Sequence, residues 1–318
     1  MKEPLISVVV PVYNGEKYIK EALQSLENQI YKNVEVFLIN DYSTDNSYSI
    51  MEEFSLKDNR FKIVTPPEKL GTASKGVEYA IKNLCKGEYF FYMSQDDFLA
   101  EDCFSKAVER VQKTDADIVI PISMSYKNGR TKKITKYPLF NNCRQEINGR
   151  KAFLLSLKWH IAGIGLRKLE LLKDFSADYM NSDEYYYRKS FLDAKKITFS
   201  AGKFFYRQDN PDAITKKIKP YIFDIMTTDI KLAELLIEYN FPKRFVDKRF
   251  KELLKGHKNW VKLYKENLSN FDDSGKLYIT NALNNAKFNL ETNSTTQNLF
   301  FSKMYLKSHK LEEIENEQ

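Results

Sequence analysis

Ile6-Ser7-Val8-Val9-Val10-Pro11-Val12-Tyr13-Asn14-Gly15 decides the fold. The run from Ile6 to Val10 is nearly continuous in β-branched residues and does not alternate with polar ones. That pattern predicts a strand buried on both faces, as in a parallel sheet covered by helices. The following residues keep that rhythm. Residues 16–28 place Ile19, Ala22, Leu23 and Leu26 at helical spacing. Strands are predicted at 34–39, 61–64, 89–93 and 118–120. Helices are predicted at 46–54 (with Asp45 as N-cap), 73–84 and 104–113. Alternation of this kind predicts an α/β fold with a mostly parallel sheet flanked by helices.

The pattern loosens after residue 120. Lys127-Asn128-Gly129-Arg130 reads as a hairpin turn. Residues 147–172 read as helix, break and helix around Ala162-Gly163-Ile164-Gly165, and 182–192 as a further helix. Two separate strands are expected at 197–200 and 204–206. Beyond Pro220 the patterns at 221–239 and 243–268 are long and amphipathic. The expected organisation is one domain over 1–219, with halves 1–120 and 121–219, and a helical C-terminal region over 220–318. The polar end, 312–318, is expected to fray.

The chain has 318 residues and a formal charge of +7. That mild excess suits anionic small molecules or an anionic membrane surface and does not by itself imply nucleic acid. Leu5 to Val10 is far too short to span a bilayer, which takes ~20 apolar residues, and no secretory leader is expected. Cys85, Cys103 and Cys143 are odd in number and lack metal-ligand spacing, which fits a reducing cytoplasm. No glycine-rich phosphate loop follows the first strand, which argues against a dinucleotide dehydrogenase or a sugar-nucleotide pyrophosphorylase.

In parallel sheets ligands sit outside the carboxyl ends of the strands. The acids there are Asp41, Asp96 and Asp97. Hard carboxylate oxygens suit Mg²⁺ or Mn²⁺, which usually also bind substrate phosphates. Such a cation absorbs charge on a departing diphosphate without proton transfer. The plainer alternative for Asp96-Asp97 is a turn that caps the next helix. Asp41 either accepts from a uracil N–H or closes an Asx-turn. Tyr13 either stacks on a base or is an ordinary half-buried aromatic.

Three ordered segments resemble glycosyltransferase family two: 7–16 (Ser7 to Glu16), 40–47 (Asn40 to Ser47), and Gly87-Glu88-Tyr89 through Ser94-Gln95-Asp96-Asp97. The resemblance is strong over about 5–120 and weaker to about 215. It implies a GT-A fold and inverting transfer of a sugar from a nucleotide-diphosphate donor, with UDP as the expected nucleotide, to an acceptor hydroxyl. It implies that Pro11, Tyr13 and Glu16 line the nucleoside pocket, that Asp41 binds the base, and that Asp96, followed by Asp97, holds metal and diphosphate. Asn40 and Ser94 stand where relatives carry acids, and Thr72-Ala73-Ser74 where they carry Ala-Arg-Asn; Lys75 is the nearest substitute for that arginine. Asp183 falls where the family has a Glu-Asp pair, which implies the general base; capping of the next helix is the alternative. Arg207 and Lys216 (in Thr215-Lys216-Lys217) either screen diphosphate charge or belong to a solvated loop. Trp159-His160 either flanks the acceptor or belongs to the core. The basic C-terminal helices either rest on anionic lipid or pack within the protein or a dimer. The acceptor implied is a glycan or lipid-linked glycan of a bacterial-type surface polymer, worked on at the inner face of the membrane. A non-catalytic sugar-nucleotide or glycan-binding module on the same fold is the alternative.

Overall fold

The computed structural model describes residues 3–134, 136, 145–179, 181–213, 216 and 218–295. Cys143, Thr215, Lys217 and the expected frayed end at 312–318 lie outside the described residues. The chain divides into two compact units, Met1–Ala177 with Tyr186–Pro211, and Asp178–Tyr185 with Asp212–Gln318. The division after Pro211 lies a few residues before the boundary drawn at Lys219-Pro220.

The first unit holds β1 (Ile6–Val12), α1 (Ile19–Glu27), β2 (Val34–Asn40), α2 (Ser47–Lys57), β3 (Phe61–Val64), α3 (Ala73–Asn83), β4 (Tyr89–Tyr92), β5 (Phe98–Leu99), α4 (Cys103–Thr114), β6 (Ile118–Lys127), β7 (Arg130–Lys133), β8 (Glu146–Ile147), α5 (Gly149–Ser156) and β9 (Leu166–Lys168). α6 (Ser182–Asp193) starts among the residues of the second unit, and β10 (Ile197–Arg207) completes the sheet. The main strand order is β3-β2-β1-β4-β9-β6-β10-β5. β1 is buried along nearly its whole length, as its composition predicts. Val8 and Val10 pack with Leu23 of α1 and Phe104 of α4, whereas Val9 packs with Val77 of α3 and Phe175. Both faces of the sheet are thus covered by apolar side chains, each such burial contributing about 1.5–3 kcal/mol.

β1 pairs in parallel with β2 and β4, and β2 with β3. The far half is mixed. β6 and β10 are parallel, but β9 runs antiparallel between β4 and β6, and β5, β7 and β8 add antiparallel edges. The helix expected toward 172 is therefore corrected to strand β9 followed by a 3-10 turn, Leu169–Leu172. Gly165 lets that strand in: a Cβ there would lie 2.9 Å from the Val119 carbonyl oxygen. The strands expected at 197–200 and 204–206 are one strand, β10, with a register shift between Phe199 and Lys203. The hairpin between β6 and β7 is as expected, with Asn128 and Gly129 both at positive φ, the signature of a type I′ turn.

The second unit carries a 3-10 turn (Pro220–Asp224), α7 (Ile225–Glu238), α8 (Lys243–Glu266) and α9 (Asp273–Thr292). Its core gathers Phe223, Val261, Tyr264, Phe271, Ile279 and Leu283. Among the described residues no helix is long and apolar enough to cross a membrane.

Candidate functional site

The loops after β1, β2 and β4 leave the same sheet edge and are tied together by side chains. Asn14, at φ 48°, accepts from Thr44 N through Oδ1 (2.8 Å), and its own N–H donates to Ser43 Oγ. Gly15 N donates to Ser47 Oγ (2.8 Å). Glu16 accepts from Asn46 N and Nδ2 through Oε2 (3.0 and 2.7 Å), while Glu16 N donates to Asp45 Oδ2. Asp45 also accepts from Ser47 N, but the N-cap of α2 is Asn46, one residue later than expected. Burial raises the Asp45 carboxyl, but hydrogen bonds from Ser47 and Glu16 bring it below its ordinary value. Gln95 spans the gap to the third loop, accepting from Tyr13 N (3.0 Å) and donating to Tyr13 O (3.1 Å).

Asp41 is buried. Its Oδ1 accepts from Leu70 N (2.5 Å) and its Oδ2 from Gly71 N (2.8 Å). The carboxylate thereby pins the segment before α3 and keeps lone pairs for one more donor. Asn40 fills its place with two bonds, to Thr65 Oγ1 and from Ser43 N. Tyr13 is 46% exposed, and Lys69 Nζ stands 4.2 Å over its ring. Pro11 lies against Gly76 of α3, where a Cβ would come within 3.2 Å of the proline. Lys75 is exposed in the first turn of α3, whose N-cap Thr72 accepts from Lys75 N (3.2 Å).

The two acids after β4 have opposite surroundings. Asp96 is partly exposed and accepts from Asn210 Nδ2 at Oδ2 (2.7 Å). Asp97 is 2% exposed, and its Oδ1 accepts from Arg207 N (2.9 Å). Burial, with the charge of Asp96, pushes the Asp97 carboxyl well above the usual carboxylate range, against the pull of Arg207. Arg207 is itself buried, and its guanidinium reaches the Asp96 carbonyl (2.8 Å), Asp209 (3.2 Å) and Glu21. The rings of Tyr18, Phe98 and Tyr126 surround it at 4.9–5.4 Å. Arg207, expected either to screen diphosphate charge or to belong to a solvated loop, is thus held inside, fastening α1, β5 and β6 to the acidic loop. Among the described residues no group of three or more His, Cys, Asp or Glu side chains is placed to hold a metal. Asp96 is the one carboxylate of the pair turned toward solvent, which suits a cation completed by substrate phosphates and water.

Because β9 runs antiparallel to β4, the segment entering Leu166 also comes from this edge. Trp159, at φ 54° and 61% exposed, is not in the core; the Arg188 guanidinium lies 4.3 Å from its ring centroid. His160 is partly exposed, and its carbonyl accepts from Lys136 N (3.0 Å). Asp183 is partly exposed in the first turn of α6 and belongs to the second unit. Ser182 Oγ is buried with no hydrogen-bond partner among the described residues, so it does not cap this helix. Lys216 is exposed. Gln95 and Asn210 are the working residues that had no assigned role. Their partners lie 82 and 114 residues away, and no local signal marks them.

A family model described as "Glycosyl transferase family 2" matches residues 7–172, more than half of the chain. The chain belongs to glycosyl transferase family 2. Its relatives include glycosyltransferase GlyG of Streptococcus pneumoniae serotype 4, 40% identical over 116 residues, covering 36% of this chain and 38% of that protein. A Haemophilus influenzae glycosyltransferase is 36% identical over 153 residues, covering 44% and 46%. The matched stretch thus spans less than half of the length of these relatives. Among solved structures, S. aureus TarS residues 1–349 in complex with UDP-GlcNAc matches with a TM-score of 0.65 at 20% identity, over 90% of this chain and 81% of that one. The same TarS fragment with UDP matches at 0.63. At that identity the likeness shows the fold, which is GT-A-like with a helical C-terminal region.

Proposed function

We propose that this family 2 chain is an inverting glycosyltransferase that moves a sugar from a UDP-sugar to a hydroxyl of a glycan or lipid-linked glycan acceptor. The observation that carries the reading is the edge where three stitched loops meet beside one outward carboxylate, Asp96. The UDP and UDP-GlcNAc bound by the TarS structures support the choice of nucleotide. Tyr13 offers an exposed ring to the base, and Asp41 keeps an acceptor for its N–H. Asp96 would hold a Mg²⁺ or Mn²⁺, and that cation, when bound, supplies positive charge to the leaving diphosphate. Asp97 keeps Arg207 and the loop in place rather than meeting the ion. Asp183 takes the proton from the acceptor hydroxyl as its oxygen bonds to the anomeric carbon. The bond from that carbon to the phosphate oxygen breaks, and UDP leaves with the electron pair. The reaction belongs on the cytoplasmic side, in surface-glycan synthesis.

A second reading, a non-catalytic UDP-sugar-binding module, draws on the inward turn of Asp97, which leaves a single carboxylate for a cation. Calorimetry with UDP, with and without Mn²⁺, combined with turnover of Asp183→Asn, separates the two. The transferase reading expects metal to tighten UDP and Asp183→Asn to lose turnover while UDP binding stays. Full turnover in Asp183→Asn removes that residue as the base, and an affinity indifferent to Mn²⁺ favours the binding module.

A further inference from the structure

α8 holds nine basic and three acidic residues, a net of +6. The whole chain carries +7, which leaves +1 for everything else. Lys248, Lys251, Lys255, Lys258, Lys262 and Lys265 recur at steps of three and four. At about 100° and 1.5 Å per residue they share a stripe roughly 100° wide and about 26 Å long. Each is exposed or partly exposed, while Phe250, Leu254 and Val261 are buried on another face of the helix. Asp247 is drawn off by Lys243 (2.8 Å), and Glu266 meets Lys262 only at 3.7 Å, an exposed pair of little strength. None of the large exposed apolar side chains among the described residues falls on α8.

We infer that the lysine stripe of α8 docks this protein on an anionic lipid surface. Exposed lysines on one face of a helix can meet a plane together, and mobile headgroups can gather beneath the row. A second copy would bring like charge against like. The lack of apolar side chains on the stripe makes the contact adsorption rather than insertion. It is independent of the transferase reading.

The test is flotation of the full chain with vesicles of phosphatidylcholine alone or with roughly one-third phosphatidylglycerol. The protein should float only with the anionic vesicles and come off at about 0.5 M salt, where screening is short-ranged. Each lysine near the surface is expected to matter about fivefold, so Lys248→Gln/Lys255→Gln/Lys262→Gln should weaken partition on the order of 100-fold. That variant should keep its thermal midpoint and UDP affinity, since all three side chains are exposed. Equal partition of the variant and the parent, or no flotation of the parent, overturns the inference. So does binding to soluble polyphosphate without binding to anionic vesicles, which would make the partner a linear polyanion.

Discussion

The loop after β2 and the loop after β4 leave the same edge of the sheet, and each carries acid, yet they use it differently. In the first, Asp41 turns both oxygens onto the Leu70 and Gly71 amides and becomes the anchor of the neighbouring segment before α3. In the second the tasks are divided. Asp97 goes inward to Arg207 N, while Asp96 stays at the surface with Asn210. Topology brings the acids to the rim. What each carboxylate already binds decides which one is left for a ligand.

The sharpest way to break this division is Asp96→Ala. Turnover should fall on the order of 10³-fold, the scale of losing a main electrostatic contact to the leaving group, with the unfolding midpoint nearly unchanged. Donor hydrolysis and transfer assays read the first, and calorimetry the second. Turnover within a few-fold of the parent would mean that Asp96 is as structural as its neighbour.

Arg207→Met tests the inward side. It strips a buried guanidinium from Glu21, Asp209 and three rings. Removing one partner of a buried pair costs 3–5 kcal/mol, and because Glu21 is half exposed the lower end, about 3, applies. For a unit of this size that is a fall of roughly 6–12 °C in the midpoint. A stable variant that loses only UDP affinity would instead restore Arg207 to the ligand.

Asp97→Asn separates the neighbours by pH. Burial raises the Asp97 carboxyl, so the folded protein holds a proton that the unfolded chain gives up. Its contribution is therefore fully present below the ordinary carboxylate value near 4 and is lost as pH rises toward the raised folded value. Asn keeps the oxygen that accepts from Arg207 N and has no proton to lose. The variant should gain on the parent in stability as pH rises above about 4, with turnover largely kept. Parallel stability curves for the two proteins would contradict a neutral, buried Asp97.

The same contrast explains what could be read in advance. The strands of the first half were legible because β1 and β2 are buried on both faces and their composition says so. The turn at Asn128-Gly129 was legible because its chemistry is local. β9 was not. It has three residues, and its middle one, Arg167, is a charge buried through bonds to Tyr187 O and Ser190 Oγ twenty or more residues away. Within the site, motif acids announced the rim. The inward turn of Asp97 depends on an amide 110 residues later, and no pattern near Asp97 carries that information.

Lys75 is the mildest probe of the same edge. It stands exposed in the first turn of α3, where helix amides already favour an anion, and it follows the segment that Asp41 pins. If it screens the diphosphate it does so in water, where an exposed charge contributes at most about 1 kcal/mol. Lys75→Ala should therefore weaken UDP binding by no more than about fivefold, and the difference from the parent should vanish at about 0.5 M salt. A loss beyond 100-fold, or one that persists in high salt, would show that the lysine is drawn into a dry site when the donor binds. The outward half of this edge would then extend past Asp96 to the start of α3.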